Sequence, residues 1–351
     1  MLLKNIHFHN FRNFEQESFN FNPFLTVVIG ENARGKTNLL EGSHFLITGQ
    51  GFREEKEEEL IYLGQNDCFV EGAFNLGDDN FQFRIVLLKN QVGVEKSFFV
   101  NKTHKKHFQY LAEQTKTVLF APEQIEIITG PPSVRRDYFN RLISSYDLEY
   151  KKRLVNYDNA LRKRNKILET HRDVVQLQEE LVFWDEYLVT QAEYITLARE
   201  EYANFLNQHQ KLDAKVFYIV YNRNEFTPSR LANVFEEEKR FRRTVIGPQK
   251  DDFRIFLKGN PPAGDDKDVH HYGSRSEQRM AVFWLKMNEI HWYVDTKKKK
   301  PILLLDDVFS ELDLHNRKIV LDLVKKYQTI LTTTEPEILD LTEVPKTVIK
   351  L

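Results

Sequence analysis

The chain has 351 residues, enough for two domains with cores of their own. Charged residues make up 29% and hydrophobic ones 41%, and the net charge is −2, so any nucleic-acid partner must be met by local basic patches. A single cysteine, Cys68, excludes an intramolecular disulfide framework, and no run approaches the length of a membrane span, so a cytoplasmic protein without a membrane partner is expected.

Residues 1 to about 110 read as strands with one helix. Ile6 and Phe8 alternate with polar residues, as do Phe19 and Phe21. Leu25–Ile29 is a short apolar, β-branched run, the mark of a buried strand. Cys68–Leu76, Phe81–Leu88 and Val92–Val100 are apolar runs separated by turn residues, which predicts an antiparallel meander.

Directly after Leu25–Ile29 come Gly30, Glu31, Asn32, Ala33, Arg34, Gly35, Lys36 and Thr37. They fit the phosphate-binding pattern of Gly, four residues, Gly-Lys-Thr. Gly30 and Gly35 let the backbone fold closely around phosphate oxygens. Backbone N–H groups then point inward at a helix start, where the dipole favours negative charge. Lys36 adds a point charge for the β- and γ-phosphates, and the Thr37 hydroxyl is placed to ligate Mg²⁺. Leu39, Leu40, Phe45 and Ile47 follow in a helical pattern, giving strand, loop and helix in the order the motif requires.

The middle differs. From Ser133 to Thr227 there is no Gly or Pro, which predicts a mostly helical segment, with a turn near Thr170-His171-Arg172-Asp173. No sustained heptads appear, so a long coiled coil is not expected. From about residue 245 the chain returns to strand, loop and helix. Gly259–Asp266 reads as a surface loop. Ser274 and Glu277 form a capping-box pattern before a helix with Met280, Phe283, Trp284, Met287 and Ile290 on its apolar face. That helix start is read either as a simple cap or as a γ-phosphate contact for nucleotide held by a second subunit. Pro301–Asp307 is an apolar strand ending in two carboxylates. Asp306 is placed to hold Mg²⁺ and Asp307 to orient or deprotonate the attacking water; the plainer reading is a solvated strand end.

The order of these motifs is similar to that of ABC-type ATPase heads in DNA-maintenance proteins, and within those the chain resembles the RecF family. The resemblance runs through Asn10–Phe14, Gly35–Glu41, Phe120–Glu123, Gly130–Arg136, Leu161–Asn165, Phe183–Leu188, Gly247–Asp252 and Leu304–Asp313. It implies an α/β fold: a P-loop ABC-type ATPase head with an antiparallel β-meander, plus a mostly helical second lobe. The expected boundaries are 1–115 and 245–351 for the ATPase lobe and 116–244 for the helical lobe. It also implies ATP as ligand, with Arg12, Asn38 and Ser274 joining residues 30–37 at the nucleotide. Lys36 and Asp307 would be catalytic, and Thr37 and Asp306 would hold Mg²⁺. Ser274 would act across an ATP-dependent homodimer, and Ser310–Asp313 would pass signals across it. Implied partners are gapped DNA and single-strand/double-strand junctions, with RecR, RecO and RecA. Slow, DNA-stimulated ATP hydrolysis is expected; a nucleotide-dependent DNA-binding scaffold without turnover is the alternative. The long helical insertion between Lys36 and Ser274 argues against a transporter subunit.

The sequence departs from the family pattern at several positions. Ala33-Arg34 stands where glycine and a polar residue are usual, and Ala33 fits if its φ is negative. Ser276 and Glu277 replace glycine and glutamine, so the Glu277 carboxylate is expected to repel a triphosphate. Gln249-Lys250 replaces His-Arg. Basic clusters at Lys102/Lys105/Lys106, Arg162–Arg164, Lys239–Arg243 and Lys297–Lys300 are either solvated surface or salt-sensitive phosphate contacts. The acidic stretch Glu54–Glu59 reads as an exposed face turned away from DNA.

Overall fold

A computed structural model describes the chain except for residues 55, 171–172, 260–263, 312–313 and 338–342, and the elements and sheets below are those of the described residues. The chain forms two compact units, Met1–Glu123 with Glu289–Leu351, and Gln124–Asn288.

The first unit begins with β1 (Leu2–Phe11), β2 (Phe14–Asn20), β3 (Leu25–Ile29) and α1 (Lys36–Thr48). The predicted meander follows as β4 (Asp67–Leu76), β5 (Asp79–Lys89), β6 (Val94–Val100) and the short β7 (Thr103–Lys105). These strands form an antiparallel sheet in the order β2-β1-β4-β5-β6-β7. Next come α2 (His107–Glu113) and β8 (Thr117–Phe120).

The second unit holds α3 (Glu126–Thr129), α4 (Pro132–Ser144), α5 (Leu148–Thr170) and α6 (Val174–Gln208). The helices stop and restart around the predicted turn, of which His171 and Arg172 lie outside the described residues. The stretch without Gly or Pro is helical only as far as Gln208. It then becomes β9 (Lys211–Leu212) and β10 (Lys215–Asn222), because Val216, Phe217, Tyr218, Ile219, Val220 and Tyr221 favour a pleated surface over a helix. After α7 (Pro228–Phe241) comes β11 (Asp252–Leu257), which pairs with β10 from Phe217↔Leu257 to Asn222↔Asp252. β12 (Lys267–Asp268) extends this sheet. That ladder draws residues 245–288 into the second unit, whereas the sequence placed them in the ATPase lobe. α8 (Val269–Tyr272) and α9 (Arg275–Lys297) complete it, with the division falling inside α9.

The chain returns to the first unit with β13 (Ile302–Asp306), α10 (Leu314–Val324), β14 (Thr329–Thr333) and β15 (Lys346–Lys350). They join β3 and β8 in a parallel sheet ordered β15-β3-β14-β13-β8. The core of this unit takes residues from both sheets and from α1, including Phe8, Phe11, Leu39, Leu40, Phe45, Leu304 and Ile330. A helix apolar on several faces must be buried, and α1 contacts strands of both sheets. Gly42 lets it lie against the meander: a Cβ there would come within 2.2 Å of the Phe8 ring. No described helix is long and apolar enough to cross a membrane.

In the second unit, one residue of the basic cluster Arg162–Arg164 is internal. Arg164 is 1% exposed; its guanidinium donates to Asp185 at 2.6 Å, Glu238 at 2.7 Å and the Thr244 hydroxyl at 2.8 Å. It is therefore not a DNA contact. Arg199 is buried on Asp251, Asn140, Tyr150 and the Pro248 carbonyl. Arg164→Ala would strand Glu238, itself fully buried. Such a loss is worth about 3–5 kcal/mol. The variant should show a clearly lower thermal unfolding midpoint; an unchanged midpoint would mean the network carries no net stability.

Candidate nucleotide site

β3 ends at Ile29, and Gly30–Gly35 turn the chain into α1. Gly35, the residue before the helix, has φ +103°, and an added Cβ would come within 2.6 Å of the Asn13 side chain. Glycine is thus required both for its backbone and for its close approach. Ala33 also lies in the left-handed region, at φ +66°, so the condition under which alanine fits without strain is not met. Its Cβ meets the following carbonyl there, at a cost of about 1–2 kcal/mol. Lys36 is buried, and its ammonium donates to the carbonyls of Gly30 at 2.7 Å and Glu31 at 2.8 Å. Arg34 and Glu31 pair at 3.2 Å on the surface.

The first of the two strand-end acids comes to this loop. The Thr37 hydroxyl donates to Asp306 Oδ1 at 3.1 Å, and the Thr332 hydroxyl donates to the same oxygen at 2.7 Å. Asp306 is 6% exposed. Burial pushes its carboxyl above the ordinary value, against the hydroxyl bonds from Thr332 and Thr37, and the charge of Glu123 adds to the rise. A cation held there would relieve that penalty. A carboxylate and a hydroxyl are the hard oxygen donors Mg²⁺ takes. Asp307 follows at φ +48°, with its N–H donating to the Thr332 hydroxyl at 3.0 Å.

Arg12, assigned to the nucleotide by resemblance, is turned onto Glu41. Its Nε donates to Oε2 at 2.8 Å and a terminal nitrogen to Oε1 at 3.0 Å. Arg53 donates to the same carboxylate at 2.8 Å and to the Asn38 amide oxygen at 2.5 Å. Asn38 in turn donates to Asn13 at 2.6 Å. Glu41, Arg53, Asn13 and Thr332 are site residues that the sequence reading missed. Only Glu41 carried a signal, a carboxylate within an otherwise apolar helical run.

Ser274 belongs to the second unit. Glu277 accepts the Ser274 N–H at 2.7 Å and donates its own N–H to the Ser274 hydroxyl at 3.3 Å, so the capping box is real. The Glu277 carboxylate also takes Lys267 at 3.0 and 3.2 Å. Burial works to raise its pKa, but the Ser274 N–H and Lys267 outweigh that and hold it below the ordinary value. Of the expected signalling loop, Leu312 and Asp313 lie outside the described residues.

The RecF/RecN/SMC N terminal domain model matches residues 2–350. The chain is 33% identical to the DNA replication and repair protein RecF of Natranaerobius thermophilus, covering 96% of this chain and 92% of that one. It is also 33% identical to the same-named protein of Lachnospira eligens, with coverages of 95% and 93%. The chain belongs to the RecF family. A solved structure described as the recombination mediator protein RecF with ATP in the RecFOR pathway superposes with TM-score 0.84 at 27% identity, covering 99% and 95% of the two chains. An Smc head domain from Pyrococcus furiosus, at 16% identity and TM-score 0.54, shares the fold. The family assignment and the architecture agree: an α/β ATPase head with an antiparallel meander.

The Arg12–Glu41–Arg53 lock has a pH signature. Burial works against the Glu41 carboxylate, but hydrogen bonds and charge from Arg12 and Arg53 prevail and hold its pKa below the ordinary value. A depressed carboxylate pKa contributes stability in full above the unfolded value of about 4.3, and loses it as pH falls through the folded value. Glu41→Gln should lower the urea midpoint at pH 7 and flatten its acid decline. A mutant curve parallel to the wild-type curve from pH 7 to pH 3 would refute the lock.

Proposed function

We propose that this RecF-family chain is an ATP-binding protein of DNA replication and repair in which bound ATP brings two copies together on DNA at gaps and junctions. The observation that carries this reading is that Lys36 folds onto the phosphate loop and Thr37 meets the strand-end carboxylate of Asp306, which Asp307 follows in the chain. Loop N–H groups and Lys36 would bind the β- and γ-phosphates, Lys36 exchanging loop carbonyls for phosphate oxygens. Thr37 and Asp306 would hold Mg²⁺, which when bound neutralises charge on the phosphates. Asp307 would orient the attacking water or take its proton. Ser274 of each copy would face the γ-phosphate held by the other. Hydrolysis would be slow and DNA-stimulated, with the nucleotide state setting the life of the dimer. The placement of an ATP-bound relative in the RecFOR pathway supports RecO and RecR as partners and recombinase loading as the outcome. A cytoplasmic location completes the reading.

A second reading, a DNA-binding scaffold with little turnover, is favoured by one observation: Ser276, where the family has glycine, is exposed and adds a side chain to the signature edge.

Light scattering with and without Mg-ATP tests the dimer. The wild-type mass should double with ATP, and Lys36→Ala should remain monomeric; a mass unchanged by saturating ATP and DNA would sink the reading. Steady-state turnover separates the two versions. Asp307→Asn should lower kcat roughly 100-fold or more while still dimerising. Wild-type turnover no greater than that of Asp307→Asn would select the scaffold.

A further inference from the structure

The carboxylate at Glu277 is fixed from two directions. One is the Ser274 N–H of the capping box; the other is Lys267, 3.0 and 3.2 Å from its two oxygens. Lys267 comes from β12, whose two residues point to opposite sides of the ladder. Asp268 is buried, caps α8 through the His270 N–H at 3.0 Å and takes Arg254 at 3.2 Å. Lys267 is left to reach Glu277, whose side chain is 18% exposed. Ser274, Arg275 and Ser276 are exposed beside it.

The consequence is electrostatic. An unpaired glutamate at this helix start would set a full negative charge against a triphosphate. With Lys267 attached, the pair is neutral and the carboxylate is held in one place by Lys267 and the Ser274 N–H. We infer that Lys267 is a positioning residue of the signature, cancelling and holding Glu277 so that the Ser274–Ser276 edge can face ATP bound by a second copy of this chain. This rests on the proposed dimer in which Ser274 acts across the interface.

The test is light scattering of the full-length protein against ATP concentration, for wild type, Lys267→Ala, Lys267→Arg, Glu277→Gln and the double variant Lys267→Ala/Glu277→Gln. Lys267→Ala should need about tenfold more ATP to dimerise. Raising the salt from ~50 to ~500 mM should shrink that defect, because screening weakens the exposed repulsion. Lys267→Arg and the double variant should assemble within about twofold of wild type. Binding of a fluorescent ATP analogue to the monomer should be the same in all five, since Lys267 acts on the other copy's nucleotide. A double variant as defective as Lys267→Ala would overturn the inference and leave Lys267 a purely structural residue. So would a Lys267→Ala that dimerises normally. If wild type and Glu277→Gln both stay monomeric at saturating ATP, the dimer reading itself fails and takes this inference with it.

Discussion

The register between two parallel strands holds the nucleotide site together. β13 and β14 pair from Leu303↔Thr329 to Asp306↔Thr332. That last pair sets the buried Thr332 hydroxyl between the Asp306 carboxylate and the Asp307 N–H, so one side chain fixes both acids. β14 also pairs with β3, ending at Thr333↔Ile29, so the phosphate loop leaves the sheet one residue beyond the same ladder. A slip of one residue would turn Thr332 to the opposite face and separate the acids from the loop. This sheet is buried on both faces, so the slip would exchange Leu304 and Ile330, packed in the core shared with α1 and the meander, with Leu305 and Leu331, buried on the other side, and break the packing of both. Site geometry is thus a by-product of core packing.

Against that rigid frame stand three non-glycine residues with left-handed backbone: Arg12 at φ +52°, Ala33 at φ +66° and Asp307 at φ +48°. Such conformations persist when neighbours over-determine them. Arg12 is pinned by Glu41 through two hydrogen bonds, and Asp307 by Thr332. Ala33 lies in a loop whose internal tie is Lys36 bonded to two loop carbonyls. On the proposed function those are the bonds Lys36 would exchange for phosphate oxygens.

Much of this was legible in the sequence, for local reasons. A glycine-rich loop between a β-branched strand and an apolar helix has few other meanings, and apolar runs separated by turn residues announced the meander. Three things were hidden. The sign of φ at Ala33 depends on the closure of the whole loop. Arg164 looked like part of a surface cluster because Arg162 and Lys163 beside it are exposed; only the approach of Asp185 and Glu238 from other helices makes it internal. The extent of the second unit turned on the β10–β11 ladder, a long-range pairing that composition does not register. Glu41 was visible as an oddity, but its role required two arginines from distant segments.

The buried arginines bear on how this chain meets DNA. Arg164 lies in one of the runs that carry the family resemblance and Arg199 does not, yet the charges of both are spent inside the second unit on Asp185, Glu238 and Asp251. A buried guanidinium without such partners would be prohibitive, and a pair removed whole is often neutral. Their value is better understood as fixing one arrangement of α5, α6 and α7 than as raw stability. With Arg135 likewise committed to Asp252, the candidates for phosphate contacts are exposed cations, among them Lys102, Lys106, Arg162, Lys163, Arg240, Arg243, Lys298 and Lys299. On a chain of net charge −2, phosphate contacts drawn from such scattered groups make binding weak per contact, sequence-independent and steeply dependent on salt. A second copy would double the number of contacts held to one DNA, and an effective concentration set by the dimer turns that doubling into a far larger gain in affinity. On the proposed function, control of DNA binding would then follow from control of dimerisation, and the inferred role of the Lys267–Glu277 pair would place that control at the signature edge.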